Sequence, residues 1–260
     1  MNTTSLVLQI SGHEVVTIPT VLYSNHLSLP TFGGGIIPDE LFSSVLDGIL
    51  QPGILHNVSA ILTGFIGSAL QVKLAAGFIR TLKNQNPEIR YLCDPVMGDT
   101  DKGQYVPADI PEAILTHLVP LADLLTPNQF EATRMLQHTT AAAEDIIGQL
   151  RQRFDLQRQK VVITSYEFDQ PERDFVYKCA VAGNSSEIIK TRKINLHPAG
   201  TGELFTAHLH RSMLRAVNFT EAVQLAGDTV SATLEKMFSE NRTEFELQDI
   251  LFSMNVSSNL

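Results

Sequence analysis

The 260-residue sequence has little of several things, and each shortage narrows what it can be. Its two cysteines, Cys93 and Cys179, lie far apart and outside any C-x-x-C pair. That argues against a disulfide framework and a thiolate zinc site, and fits a reducing compartment. Nineteen Lys and Arg against 28 Asp and Glu leave a formal net charge of −9, and no basic block breaks the pattern. A nucleic-acid partner is therefore not expected. No apolar run approaches the roughly 20 residues that span a bilayer, and the N-terminus lacks the basic start and cleavage pattern of a signal peptide. A cytoplasmic protein with no membrane partner is expected. The G-x-x-x-x-G-K-[ST] loop of P-loop nucleotide hydrolases is absent, as are internal repeats and an interdomain linker, so residues 1–260 read as one domain.

What is present centres on His197-Pro198-Ala199-Gly200-Thr201-Gly202-Glu203, followed by an apolar helical run from Leu204. Glycines flanking a threonine let successive N–H groups turn toward one point, and a helix N-terminus behind them adds partial positive charge. Gly200, Thr201 and Gly202 thus form an anion cradle with a carboxylate, Glu203, at its edge. A glycine-rich turn whose acid serves only the helix dipole would look the same in isolation.

The remaining chain alternates strands and helices. Residues 5–10 read as the end of a helix stopped by Gly12, and 13–20 as a strand ending at Pro19. A flexible turn over 31–35 precedes a helix carrying Leu41, Phe42, Val45, Leu46 and Ile49 on one face. Strands are expected at 58–64, 90–96, 122–126 and 160–165, with helices over 68–83, 110–118, from Pro127 with Glu131 in its first turn, and 144–154. Residues 97–106 read as a mobile loop able to act as a lid. Residues 174–182 and 187–193 form a hairpin around 183–186, and helices cover 204–217, 220–238 and 247–254 before a frayed end. The rhythm predicts a three-layer α/β/α domain with a mostly parallel sheet, whose carboxyl strand ends gather Asp94, Thr126, Asn128, Glu131, Thr164 and Ser165. Carboxylates for Mg²⁺, hydroxyls and amides for phosphate oxygens, and a base are the parts of phosphoryl transfer.

Asp94-Pro95-Val96-Met97-Gly98-Asp99, Tyr105-Val106-Pro107, Thr126-Pro127-Asn128-Gln129-Phe130-Glu131, Val162-Ile163-Thr164-Ser165 and Gly200-Thr201-Gly202 occur in the order and spacing of pyridoxal kinases. Pro19 to Asn25 and Gly34 to Glu40 resemble the same branch of the ribokinase-like superfamily, so the resemblance covers essentially the whole chain. It implies ATP-dependent phosphorylation of the 5′-hydroxyl of vitamin B6 vitamers, with Mg²⁺ and a K⁺ or Na⁺ ion, in a homodimer. It also implies that Asp94, Thr126, Thr164 and Thr201 face the ATP phosphates, with Ser165 also binding ATP. Glu131 and Tyr105 then organise the metal, and Thr191, Arg192, Lys193 and Ile194 lie near the nucleotide.

Three departures accompany the resemblance. Glu203 stands where the family has its aspartate base, and the extra methylene leads us to expect weakened turnover, since about 1 Å of misplacement can cost on the order of 10²-fold. The family's first strand and the loop after it would lie ahead of Met1, so a start assigned too late or a truncated copy is expected. Ser28 occupies the place of a substrate-contacting histidine, with His26 two residues earlier, and Phe65 replaces a tyrosine found in some relatives. A catalytically impaired homologue that binds ATP or a B6 vitamer is the alternative. A hydroxymethylpyrimidine kinase is disfavoured by the lack of a cysteine near the Gly-Thr-Gly turn.

Overall fold

The computed structural model describes residues 3–25, 31–51, 55, 57–136, 146–167, 171–215 and 217–259. Four parallel strands make one side of a six-stranded sheet, out to its edge: β3 (Ala60–Thr63), β4 (Arg90–Cys93), β7 (Leu124–Leu125) and β8 (Lys160–Ile163). An antiparallel hairpin of β9 (Phe175–Ala182) and β10 (Ser185–Arg192) extends it, giving the order β10-β9-β8-β7-β4-β3. Two small antiparallel ribbons stand apart: β1 (Val21–Tyr23) with β2 (Gly34–Ile36), and β5 (Gly98–Asp99) with β6 (Gly103–Gln104).

Alternation along the strands sorts side chains to two faces, as the period of two requires. Tyr91, Cys93, Leu125, Val161, Ile163, Cys179 and Val181 join one apolar cluster. It is closed by α2 (Asp39–Ile49), α3 (Ala69–Gln85), α4 (Asp109–His117), α5 (Gln129–Met135) and α6 (Ile146–Arg153). Leu92, Leu124, Val162 and Ala180 join the other, under α1 (Thr3–Ile10), α7 (Thr201–Leu214), α8 (Phe219–Ser239) and α9 (Leu247–Asn259). Helix layers on both faces of a mostly parallel sheet are what the strand-helix rhythm implies.

Several local expectations need correction. Residues 13–20 form no strand: Thr17 and Thr20 are held by side chains, Thr17 through Ser5 (3.0 Å) and the Thr20 carbonyl by Gln71 Nε2 (3.0 Å). The strand comes later, at β1, because its partner β2 uses Gly34–Ile36, whose two glycines belong to the stretch read as a flexible turn. On α2 only Phe42 and Leu46 are buried, while Leu41 and Val45 face solvent, so the apolar stripe is narrower than the sequence suggests. β3 is half-buried rather than buried, since it lies at the sheet edge. Residues 97–106 contain the β5–β6 ribbon, the hairpin turn shrinks to Gly183-Asn184, and α9 continues to Asn259.

Candidate active site

Backbone hydrogen bonds between neighbouring strand ends line up the predicted polar residues. The Asp94 N–H donates to Thr63 O (2.9 Å), Thr126 N–H to Cys93 O (3.1 Å) and Thr164 N–H to Pro127 O (2.9 Å). Asp94, Thr126 and Thr164 therefore occupy successive steps along one end of the sheet. α7 reaches the same end: Thr206 Oγ1 donates to Thr126 Oγ1 (3.2 Å) across buried space.

At the start of α7, Gly200 adopts the left-handed conformation at φ 93°, which a side chain would strain. Thr201 Oγ1 donates to Pro198 O (2.8 Å) and fixes the turn. The first-turn N–H groups of a helix have no intrahelical acceptor. A Cβ built on Gly202 meets nothing within 4 Å, so this side of the first turn is open.

Acids converge beside this cradle. Burial, then the neighbouring Glu131 and Glu203 carboxylates, push Asp94 well above the usual carboxylate range. Glu131 is buried at the start of α5 in a capping box with Asn128: its N–H donates to Asn128 Oδ1 (2.9 Å), and Asn128 N–H donates to its Oε2 (2.9 Å). Met97 N–H donates to its other oxygen (2.9 Å). Burial raises Glu131 to about 7 against the pull of these donors. The phenol of Tyr105, on the chain leaving the β5–β6 ribbon, is raised by burial and then by Glu131, Asp99 and Asp94. Tyr105 and Glu131 thus share one electrostatic environment.

Acids gathered without a nearby cation form a donor set that fits a hard divalent ion. Among the described residues no three acidic, imidazole or thiol side chains are close enough to hold an ion by themselves. Phosphate oxygens and water would complete such a shell, as is usual for Mg²⁺.

Other candidates are placed differently. Ser165 Oγ accepts from Gln129 N–H (3.3 Å), so it also serves the start of α5. Thr191 is buried and accepts from Lys178 Nζ (2.6 Å). Arg192 pairs with Glu235 on α8 (2.6 Å), Lys193 N–H donates to Asp174 O (2.7 Å), and Ile194 packs on the apolar cluster under α7 and α8. These four mark the end of β10 and make no direct bond to the acids. His26 and Ser28 lie outside the described residues.

Three participants were not foreseen. Thr4 N–H donates to Glu203 Oε1 (2.9 Å), a contact across 199 positions with no local signal. Lys178 interrupts the otherwise apolar alternation of Val176, Ala180 and Ala182, and that interruption was visible. Gln71 is fully buried and ties Thr20 O, Ile37 O (2.8 Å) and Gly67 N–H (3.1 Å) together.

The profile of the family described as phosphomethylpyrimidine kinase matches residues 35–247. A pyridoxal kinase PdxY from Deinococcus radiodurans is 30% identical over 246 residues, covering 92% of this chain and 83% of the relative. A pyridoxine/pyridoxal/pyridoxamine kinase from Bordetella avium is 31% identical over 223 residues, covering 86% and 75%. Among solved structures, pyridoxal kinase from Leishmania donovani in complex with ADP and pyridoxamine superposes with a TM-score of 0.84 at 22% identity, covering 98% and 90%. The fold is thereby ribokinase-like. With its strand ends, cradle and acids in that frame, the chain belongs to the phosphomethylpyrimidine kinase family, on its pyridoxal kinase branch.

Proposed function

We propose that the protein transfers the γ-phosphoryl group of ATP to the 5′-hydroxyl of pyridoxal, pyridoxine or pyridoxamine. The observation that carries this reading is the convergence of Asp94, Glu131 and Glu203 beside the open N-terminal turn of α7. Glu203, half-buried at the cradle's edge, takes the proton from the acceptor hydroxyl. The N–H groups of Thr201, Gly202 and Glu203 receive the charge on the transferred phosphoryl group, and need no reorganisation because the turn is preset. Asp94 and Glu131 would hold Mg²⁺, which would supply charge neutralisation between the phosphates. Thr126 and Thr164 offer hydroxyls to the phosphates, and the β10 end at Thr191 to Ile194 borders the nucleotide. Tyr105 rides on the ribbon beside the acids, and a K⁺ or Na⁺ ion bound at the nucleotide site would add positive charge there.

The same reading has one kinase domain working as a cytoplasmic homodimer. The support for the dimer is the solvent-facing apolar set Val16, Leu22, Phe32 and Ile36 around the β1–β2 ribbon, where Leu22 is 69% exposed. Sedimentation of wild type and Leu22→Lys checks this, with the charged variant expected to be monomeric.

The chemical reading is tested by ADP release with pyridoxal as acceptor, run on wild type and Glu203→Gln. Removing a general base lowers rates by roughly 10²–10⁴-fold, so the variant should retain ATP binding and lose turnover. A wild-type chain that binds ATP yet phosphorylates no B6 vitamer overturns the reading and leaves a binding protein.

A further inference from the structure

Two helices, distant in sequence, begin at the same place. Glu203 stands in the first turn of α7, and its Oε1 accepts the Thr4 N–H, 2.9 Å away in the first turn of α1. Thr3 Oγ1 comes within 4.0 Å of a Cβ built on Gly200, so the two N-termini are side by side. α1 has no acidic residue of its own in its first turn. First-turn N–H groups lack intrahelical acceptors, and each helix start carries about half a positive charge. One carboxylate therefore answers both helix starts. Val7 of α1 and Leu204 and Phe205 of α7 are buried in one cluster, which fixes the two helices against each other.

We propose that the backbone N–H of Thr4 is the positioning donor for Glu203. This rests on the reading of Glu203 as the proton acceptor. A glutamate side chain has three rotatable bonds, and a base must be held near the hydroxyl it serves. Anchoring Oε1 to α1 removes most of that freedom, while among the described residues Oε2 has no partner and is left for the substrate proton. The contact needs the full length of glutamate. Aspartate is shorter by one carbon–carbon bond, about 1.5 Å, and cannot span to Thr4 while remaining in the α7 turn. The glutamate at this position is thus matched to the start of α1.

The donor is removed by Thr4→Pro, since proline is tolerated in a helix's first turn and has no N–H, and Thr4→Ala, which keeps the N–H and should keep wild-type kcat, controls for the lost threonine side chain. Wild type, Thr4→Pro, Glu203→Asp and the double variant are compared with ATP and pyridoxal. Loss of a hydrogen bond to a charged group predicts a fall in kcat of about 10-fold in Thr4→Pro, with the KM for ATP moving less than about 2-fold by the same argument. In the Glu203→Asp background the same substitution should change kcat less than about 2-fold, because the contact is already gone. An equal loss in both backgrounds, or none in either, overturns the proposal. Hydrogen exchange of the Thr4 amide gives a second readout that does not depend on the proline variant folding. Protection should fall at least about tenfold in Glu203→Ala while amides at Leu8 to Ile10 keep theirs, and unchanged Thr4 protection overturns the proposal. A fully active Glu203→Gln would instead sink the proton-acceptor reading, whatever the exchange data show.

Discussion

Asn128 and Glu131 cap one another at the start of α5, and the same asparagine reaches out with Nδ2 to Gly98 O (2.7 Å). One residue thus joins a helix start, a buried acid raised to about 7 and the ribbon above it. Loss of an N-cap side chain costs about 0.5–2 kcal/mol. Asn128→Ala should lower stability by an amount in that range, read by thermal or urea unfolding. It should also raise the Mg²⁺ concentration needed for half-maximal turnover, because Glu131 loses one of its orienting bonds. Asn128→Asp keeps the cap acceptor and loses the bond to Gly98 O, so it should recover most of the stability and only part of the Mg²⁺ response.

Gly98 makes the ribbon testable by bulk alone. A Cβ there would collide with Gly103 O and come within 2.6 Å of Phe130 Cε1. Neither neighbour is a flexible chain end, so Gly98→Ala must pry β5 from β6 or tilt α5. Overpacking of this kind costs typically about 1–3 kcal/mol. Activity should fall further than stability, since Met97 N–H, one residue away, holds Glu131. A variant with wild-type kcat and a normal melting temperature would show that the ribbon can shift freely.

Much of this frame could be read from the sequence because it is written locally. Asp94 follows an apolar strand, the Asn128–Glu131 spacing is a capping box, and Gly200 precedes a helical run, each within a few residues of its own element. The Thr4–Glu203 bond was not legible, because nothing near either residue records a partner 199 positions away. Residues 13–20 misled for a related reason. β-rich composition makes a strand only where a neighbour offers a ladder, and among the described residues a facing backbone reaches, over 13–20, only the Thr20 carbonyl, which accepts from Ile37 N–H (3.0 Å) as well as Gln71 Nε2. Thr191 and Arg192 were placed at the end of the hairpin by order alone, but their side-chain partners, Lys178 and Glu235, follow from how α8 packs on β10.

Lys178 is a buried ammonium with no carboxylate bonded to it among the described residues: Nζ donates to Thr191 Oγ1 (2.6 Å) and lies 5.8 Å from the Phe205 ring centroid. Burial lowers it to about 8, with Asp228 pulling the other way. A folded value below the ordinary 10.5 means that the unfolded chain binds more protons between pH 8 and 10.5. Stability from this group is therefore full above about 10.5 and lost as pH falls through 8. Lys178→Met, close in volume, should stabilise at pH 7 by on the order of 2–3 kcal/mol, and the gain should fade as pH is raised from 8 to 10.5. Denaturant unfolding of both proteins at pH 7 and pH 10 measures it. A gain that persists undiminished at pH 10 would mean that packing, rather than charge, sets the difference.

The interface of α7 with α9 sets the acid side of the stability curve. His208 is 1% exposed, its Nε2 is 2.9 Å from Ser253 Oγ, and Nδ1 has no partner among the described residues. Burial and then Arg211 lower it to about 3, and burial with His13 lowers His210 to about 4. Both folded values lie below the ordinary 6.5, so the unfolded chain binds more protons below that pH. Their contribution is complete above 6.5 and is lost as pH falls toward 3 to 4. Asp249 acts lower still: it is buried, yet bonds from Arg242, the Glu246 N–H and Lys236 hold it at about 2, so its share is lost only below its ordinary 3.8. At about 1.4 kcal/mol per unit for each fully linked group, His208 alone should remove roughly 2–3 kcal/mol between pH 6.5 and 4.5. His208→Leu should be less stable than wild type at pH 7, where the Ser253 contact is lost, and should show a visibly flatter decline toward pH 4.5 in urea midpoints. Parallel declines in the two proteins would remove His208 from the acid response and leave His210 to carry it.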